Sequence, residues 1–86
     1  MSGAHKLTST QIRILRFFHE HPQAMETVRG MAVWLGEEEG AVGQALQDLS
    51  ARKWLAADET SAVTAYSLTP DDRLLSQLQE LLETGG

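Results

Sequence analysis

Apolar residues follow helical spacing in the first part of the chain. Thr8 and Gln11 stand three positions apart, as in a capping box, where two side chains satisfy free backbone N–H groups at a helix start. The apolar stripe that follows consists of Ile12, Ile14, Leu15, Phe17 and Phe18. His21 precedes Pro22, and a residue before proline is pushed out of the helical conformation. We therefore predict a first helix over residues 8–21.

Two further helices are predicted on either side of a glycine. Thr27 is a suitable N-terminal cap, and Gly36 offers the left-handed conformation that commonly ends a helix. Between them the apolar residues recur at helical spacing: Val28, Met31, Ala32 and Leu35. The same spacing returns in Val42, Ala45, Leu46 and Leu49. We predict a short second helix and a third helix from Glu38 or Glu39 to Arg52.

The apolar pattern shortens to strand length after the third helix. Residues 54–58 and 63–68 have the length and alternation of strands, and residues 59–62 separate them, which predicts a two-stranded β-hairpin. The sequence Thr69-Pro70-Asp71-Asp72 then combines a cap, a proline at the first helical position and acids in the first turn. We predict a final leucine-rich helix from this point to the terminal Gly85-Gly86.

The composition is that of one small domain. At 86 residues the chain is short for two domains, and without cysteine it has no disulfide, thiolate nucleophile or cysteine metal site. No apolar run approaches the ~20 residues that cross a bilayer, and no signal peptide is present, so we expect a soluble cytoplasmic protein. His19 and His21 point to different helix faces, and we predict no metal, no cofactor and no enzyme activity. Trp34 and Trp54 are expected in the core or at its edge.

The order of these elements resembles the winged helix-turn-helix domain of small bacterial transcription regulators. The resemblance covers residues 7–68. Its supporting residues are Ala32, Leu35, Gly36, Val42, Leu46, Leu49, Trp54 and Leu55, with Tyr66, Ser67, Leu68 and Thr69 as the returning strand. It implies an α+β, mainly α fold: a three-helix helix-turn-helix core, a β-hairpin wing and an extra C-terminal helix. We assign residues 1–69 to the winged domain and residues 70–86 to the C-terminal helix.

The resemblance also implies roles in DNA binding. In this family the third helix usually lies in the major groove and the wing contacts the backbone. The outward positions of that helix would be Glu39, Gly40, Gly43, Gln44 and Gln47. The amides of Gln44 and Gln47 can donate to and accept from adenine, while Gly43 would allow close approach. Phosphate contacts would come from Arg13, Arg16, Arg29, Arg52 and Lys53. Lys53 also stands where a glycine often ends the third helix.

The charge of the chain suggests another use of the same fold. The net charge is -5, which opposes attraction to phosphate. Residues 37–39 are three glutamates at the start of the third helix, where they interact favourably with the helix dipole, and residues 58–62 of the wing contain no Arg or Lys. The alternative is a protein-interaction module that binds no DNA and recognises a partner with a basic surface. We keep both hypotheses, with double-stranded DNA as the preferred partner.

The C-terminal helix predicts self-association. Its leucines form an apolar band wider than a two-stranded coiled-coil seam: Leu74, Leu75, Leu78, Leu81 and Leu82. So many leucines are unusual for a helix on the surface of an 86-residue monomer. We predict a homodimer formed through residues 70–84, the alternative being a helix that folds back on its own domain.

Overall fold

The computed structural model of the chain describes residues 7–84, which form four helices and a three-stranded antiparallel sheet. The predicted end of the last helix at Gly85-Gly86 lies outside the described residues. In chain order the elements are α1 (Ser9–Glu20), β1 (Met25–Thr27), α2 (Val28–Leu35), α3 (Glu39–Ala51), β2 (Leu55–Asp58), β3 (Ala65–Leu68) and α4 (Asp72–Thr84). The predicted α+β, mainly helical architecture is confirmed.

The start of α1 has the predicted capping box. The Thr8 hydroxyl oxygen accepts the Gln11 backbone N–H at 3.1 Å, and the Thr8 backbone N–H donates to the Gln11 side-chain oxygen at 3.0 Å. At the other end the His21 N–H donates to the Phe17 carbonyl at 2.9 Å, directly before Pro22. Both ends of α1 therefore follow from local sequence.

The turn between α2 and α3 is a Schellman motif centred on glycine. Gly36 has φ +70°, its N–H donates to the Val33 carbonyl at 3.3 Å, and the Glu37 N–H donates to the Ala32 carbonyl at 3.0 Å. At the start of α2 the Thr27 hydroxyl caps the Gly30 N–H at 3.1 Å. The predicted cap and the predicted left-handed glycine are both present.

The sheet has one strand more than the predicted hairpin. β2 and β3 pair as expected, with Leu55 opposite Leu68 and Asp58 opposite Ala65. β1 adds to the other edge of β3, with Met25 opposite Ser67. The predicted hairpin is confirmed, and the third strand was missed because β1 has only three residues, too few to show an alternating pattern, and runs directly into α2.

The start of α4 is shifted from its predicted place. Asp71 caps the helix, since its carboxylate accepts the backbone N–H groups of Arg73 at 2.9 Å and Leu74 at 3.4 Å. Thr69 instead accepts the Asp71 N–H at 3.3 Å, and Pro70 precedes the helix. The prediction of Thr69 as cap was wrong because an aspartate two residues later offers a better-placed acceptor to the first free N–H groups.

A single apolar core joins all four helices and the sheet. Its fully buried large side chains are Ile14, Leu15, Phe18, Met31, Val42, Leu46, Leu49 and Leu78. Trp54 is partly buried against this core, as predicted. Trp34 is 59% exposed and makes an edge contact with the ring of the core residue Phe17, so it lies at the edge of the core and not inside it. Within residues 7–84, none of the helices is long and apolar enough to cross a membrane.

Candidate nucleic-acid interface

α3 exposes two glutamines, small residues and one aspartate to solvent. Val42, Leu46 and Leu49 are buried on its inner side. The opposite side is exposed and includes, at spacings of four, three and four residues, Gly40, Gln44, Gln47 and Ala51, with the exposed Asp48 one turn after Gln44. Two amides that can pair with base edges therefore stand on this side beside one carboxylate.

Gly43 lies at the edge of this outward side. A Cβ built on Gly43 would lie 3.5 Å and 3.8 Å from the two methyl carbons of Val28, so this position is turned toward α2. It is about 100° from Gln44 around the helix axis but one turn before Gln47, on the same side as that residue. Gly43 is half-buried, and its base contact stays a prediction.

Gln44 borders a shallow groove between α3 and the start of α1. The groove has a volume of about 300 Å³, and its polar lining includes Thr8, Thr10 and Asp48. The Gln11 side-chain amide is buried and donates to the Asp48 carboxylate at 3.3 Å. The first turn of α1 therefore flanks the outward side of α3 and belongs to the candidate interface.

The first of the three glutamates before α3 is engaged by α1. One Glu37 carboxylate oxygen accepts the Thr10 hydroxyl at 2.7 Å, and the other forms a salt bridge with Arg13. A second guanidinium nitrogen of Arg13 donates to the Leu35 carbonyl at 2.9 Å. We call the side chains of Thr10, Arg13 and Glu37 the turn clasp. The sequence analysis missed it because its partners are 24 and 27 residues apart along the chain.

The other two glutamates remain on the surface at the leading end of α3. Glu38 and Glu39 are exposed, and Glu39 lies in the first turn of the helix. The side chain of Glu38, which is the N-terminal cap, makes no capping hydrogen bond within the described part of the chain. The acidity predicted for this end of α3 is therefore reduced by the pairing of Glu37, and two exposed carboxylates remain there.

The predicted phosphate contacts differ in their surroundings. Arg16 and Arg29 are exposed on α1 and α2. Arg52 is half-buried and lines a groove with Trp54 and α4, while Lys53 lines a second groove between β2 and the start of α4. Together with Arg13 in the turn clasp, these residues are spread over separate parts of the surface. Arg16 and Arg29 have their charges most freely available.

The wing ends in a tight polar turn. The Asp58 carboxylate accepts the Thr60 hydroxyl at 2.7 Å and the Thr60 backbone N–H at 3.0 Å. These two hydrogen bonds favour the ionised carboxylate and lower the pKa of Asp58 below its usual value. Residues 59–63 at the tip are exposed. The tip of the wing is therefore exposed to solvent, and the ionised carboxylate of Asp58 lies where the tip begins.

The leucines of α4 divide between the core and the surface. Leu78 is fully buried in the core of its own chain, and Leu82 packs against that core. Leu74, Leu75 and Leu81 are partly exposed. Leu78 is therefore removed from the predicted dimer surface, because its side chain does not reach it.

Solved structures of regulators share this fold. A ZitR variant of Lactococcus lactis in apo form matches with a TM-score of 0.71 and 26% identity, over 95% of this chain and 61% of that chain. The adhesin competence repressor AdcR of Streptococcus pyogenes matches with a TM-score of 0.63 and 27% identity, over 93% and 60%. The antimony-specific transcriptional repressor AntR matches with a TM-score of 0.67 and 25% identity, over 87% and 65%.

The chain thus spans less than two thirds of the length of these proteins. No protein-family model and no curated protein sequence matches it. The structural likeness extends over nearly the whole described chain, including the three-helix core, the wing and α4. The order of the elements, the pairing of the strands and this likeness together identify the chain as a winged helix-turn-helix domain of the kind that transcription regulators carry.

Proposed function

We propose that the chain is a DNA-binding domain of a transcription regulator, with α3 as its recognition helix. The observation that carries the proposal is the exposed outward side of α3, where Gln44 and Gln47 stand beside small residues and Asp48, after a helix-turn-helix turn. The similarity to proteins described as repressors supports the same role.

The spacing of the two amides suits neighbouring base pairs. Gln44 and Gln47 are three residues apart, which is a rise of about 4.5 Å along the helix, and successive base pairs rise about 3.4 Å. A glutamine amide can donate to and accept from the major-groove edge of adenine at the same time. We propose that the two glutamines read adenines at adjacent positions, with Arg16, Arg29 and Lys53 contacting phosphate.

Self-association through α4 completes the proposal. The partly exposed leucines Leu74, Leu75 and Leu81 would meet a second copy, and a dimer would read two half-sites of the duplex. A regulator of bacterial transcription acts in the cytoplasm and needs no catalytic group, so we propose a cytoplasmic location and no enzyme activity.

The proposal is tested with duplexes selected by the protein itself from a random-sequence pool. Discrimination is measured by fluorescence anisotropy as the ratio of the dissociation constants for a scrambled and a selected duplex. We expect Gln44→Ala with Gln47→Ala to lower this ratio at least about fivefold, the lower end of the contribution of one bidentate amide-adenine contact. Gln23→Ala, an exposed glutamine outside α3, is the matched control.

Two results would contradict the proposal at different levels. Unchanged discrimination in the double variant would remove Gln44 and Gln47 from base reading. Absence of wild-type binding to any duplex in low salt would overturn DNA binding itself, since phosphate attraction is strongest there.

A further inference from the structure

The turn clasp joins the helix-turn-helix turn to α1 without touching the outward side of α3. Arg13 links the Glu37 carboxylate to the Leu35 carbonyl, which is one of the free carbonyls at the end of α2. Thr10 donates to the same carboxylate from one helical turn earlier in α1. The Glu37 side chain is 23% exposed and that of Arg13 is 49% exposed, so the carboxylate is the more shielded partner. The clasp therefore fixes the residue that directly precedes the cap of α3.

The start of α3 needs such support because its own sequence stabilises it weakly. Its cap, Glu38, makes no side-chain capping bond in the described structure. Gly40 occupies the first turn, and apart from its chain neighbours and the backbone of its own helix no described atom lies within 4 Å of where its Cβ would be. Glycine in a helix is less stable than alanine, and an uncapped start frays.

We infer that Glu37 is a positioning residue, which sets through Arg13 and Thr10 where α3 begins and thereby the register of its glutamines on the bases. This inference rests on the proposed DNA-binding function. Gln44 lies seven residues beyond Glu37, about 10 Å along the helix. A change in the tilt of α3 at its start therefore moves the Gln44 side chain relative to the bases. The inference also assigns Arg13 to the clasp and not to a phosphate.

Two roles of Glu37 predict opposite results when its charge is removed: repulsion of DNA, and positioning of α3 through the turn clasp. If Glu37 acts on DNA only by repulsion, its neutralisation raises affinity for every duplex. If it positions α3, its neutralisation releases Arg13 and lowers discrimination. Glu38, the next residue, is exposed and outside the clasp, which makes it the matched control for the same change of charge.

The first experiment compares Glu37→Gln with Glu38→Gln on selected and scrambled duplexes. We expect Glu37→Gln to lower discrimination about fivefold or more, comparable to the loss of one amide-adenine contact. We expect Glu38→Gln to strengthen binding to both duplexes equally and to leave their ratio unchanged. Equal behaviour of the two variants would overturn the positioning role.

The second experiment tests whether Arg13 and Glu37 act as a unit. Arg13→Gln should lower discrimination as Glu37→Gln does, and the double variant should be no worse than either single variant. If Arg13 binds a phosphate, Arg13→Gln would instead weaken binding to all duplexes uniformly. The slope of the logarithm of affinity against the logarithm of salt concentration would then fall by about one. If the losses of discrimination in the two single variants multiply in the double variant, Arg13 and Glu37 do not act as a unit, which would also contradict the clasp.

A third measurement requires no DNA. The Val42 N–H donates to the Glu38 carbonyl at 3.0 Å and lies in the first turn of α3. Its hydrogen exchange should become faster in Glu37→Gln, relative to the Leu46 N–H in the middle of the helix, and by more than in Glu38→Gln, which removes only the interaction of one exposed carboxylate with the helix dipole. Unchanged exchange in Glu37→Gln overturns the positioning role. If the wild type binds no duplex but hydrogen exchange at Val42 becomes faster in Glu37→Gln, the DNA-binding proposal fails. The role of Glu37 in fixing the start of α3 then stands.

Discussion

Gly36 and Lys53 end consecutive helices with the same backbone conformation. Their φ angles are +70° and +72°. After α3 the Lys53 N–H donates to the Ser50 carbonyl at 3.0 Å, and the next N–H, from Trp54, donates to the Leu49 carbonyl at 3.0 Å. This is the Schellman pattern with lysine at the position that glycine usually occupies. A non-glycine residue in the left-handed conformation costs roughly 1–2 kcal/mol.

We predict that Lys53→Gly stabilises the domain. Relief of the left-handed strain is partly offset by the greater freedom of glycine in the unfolded chain, so the net gain is about 0.5–1 kcal/mol. For a domain of this size the melting temperature should rise by roughly 2–8 °C. Thermal unfolding followed by circular dichroism measures this change.

The control is Lys53→Ala, which removes the same charge and keeps the side-chain strain. Lys53→Ala should give no comparable gain in stability. Gly36→Ala should destabilise the domain, because it introduces the same backbone strain; the space around Gly36 is open, so a steric clash does not contribute. Equal stabilisation by Lys53→Ala and Lys53→Gly would show that charge, and not backbone conformation, limits this turn.

The leucine band of α4 has a buried centre and partly exposed edges. Leu78 is inside the core, while Leu74, Leu75 and Leu81, three or four residues from it, are partly exposed and form the proposed dimer surface. An apolar band wider than one seam is what a helix needs in order to pack on its own domain and on a second copy at once. The two alternatives drawn from the leucine pattern are therefore compatible with each other.

We predict that two leucine substitutions in α4 have different consequences. Leu78→Ala removes a fully buried side chain and should cost about 2–5 kcal/mol of unfolding free energy at every protein concentration. Leu75→Ala should cost less, and it should abolish the concentration dependence of the unfolding midpoint that a dimer confers. Urea unfolding at several concentrations, with sedimentation equilibrium, distinguishes them. A wild type that sediments as a monomer throughout would contradict the dimer.

Features determined by neighbouring residues were predictable from the sequence. The capping box of α1 and the glycine turn after α2 each depend on residues within a few positions of one another, so their patterns are visible along the chain. The exposure of Gln44 and Gln47 on α3 agrees with the outward positions that the resemblance implied. The capping error at α4 shows the limit of this approach, since two acceptors two residues apart fit the same pattern.

Features that depend on distant partners were not predictable. β1 is a strand because β3 lies beside it, about forty residues later in the chain. The turn clasp brings Glu37 against Arg13, and neither residue differs in sequence pattern from an ordinary surface charge. The exposure of Trp34 likewise depends on where α1 crosses α2. Helical spacing gives the side of a helix on which a residue lies, but not whether another element covers that side.

The whole molecule is acidic, and this limits how it can bind DNA. With a net charge of -5, non-specific attraction to phosphate is weak, so a larger share of affinity must come from base edges. Glu38 and Glu39 concentrate this effect at the leading end of α3. Such acids would lower the affinity for every duplex alike, so they would weaken non-specific binding without contributing to the choice between sequences.

We predict that Glu38→Gln with Glu39→Gln raises affinity for every duplex. The change takes the net charge from -5 to -3, because two of the twelve acids are neutralised. In low salt we expect affinity for selected and scrambled duplexes to rise about two- to fivefold each, and the gain to shrink with added salt as the Debye length falls to about 10 Å at 0.1 M. Anisotropy titrations across a salt series measure both effects. Glu20→Gln with Glu83→Gln gives the same net charge from exposed positions on α1 and α4, and an equal gain in that control would show that total charge, and not the acids of α3, governs the approach to DNA.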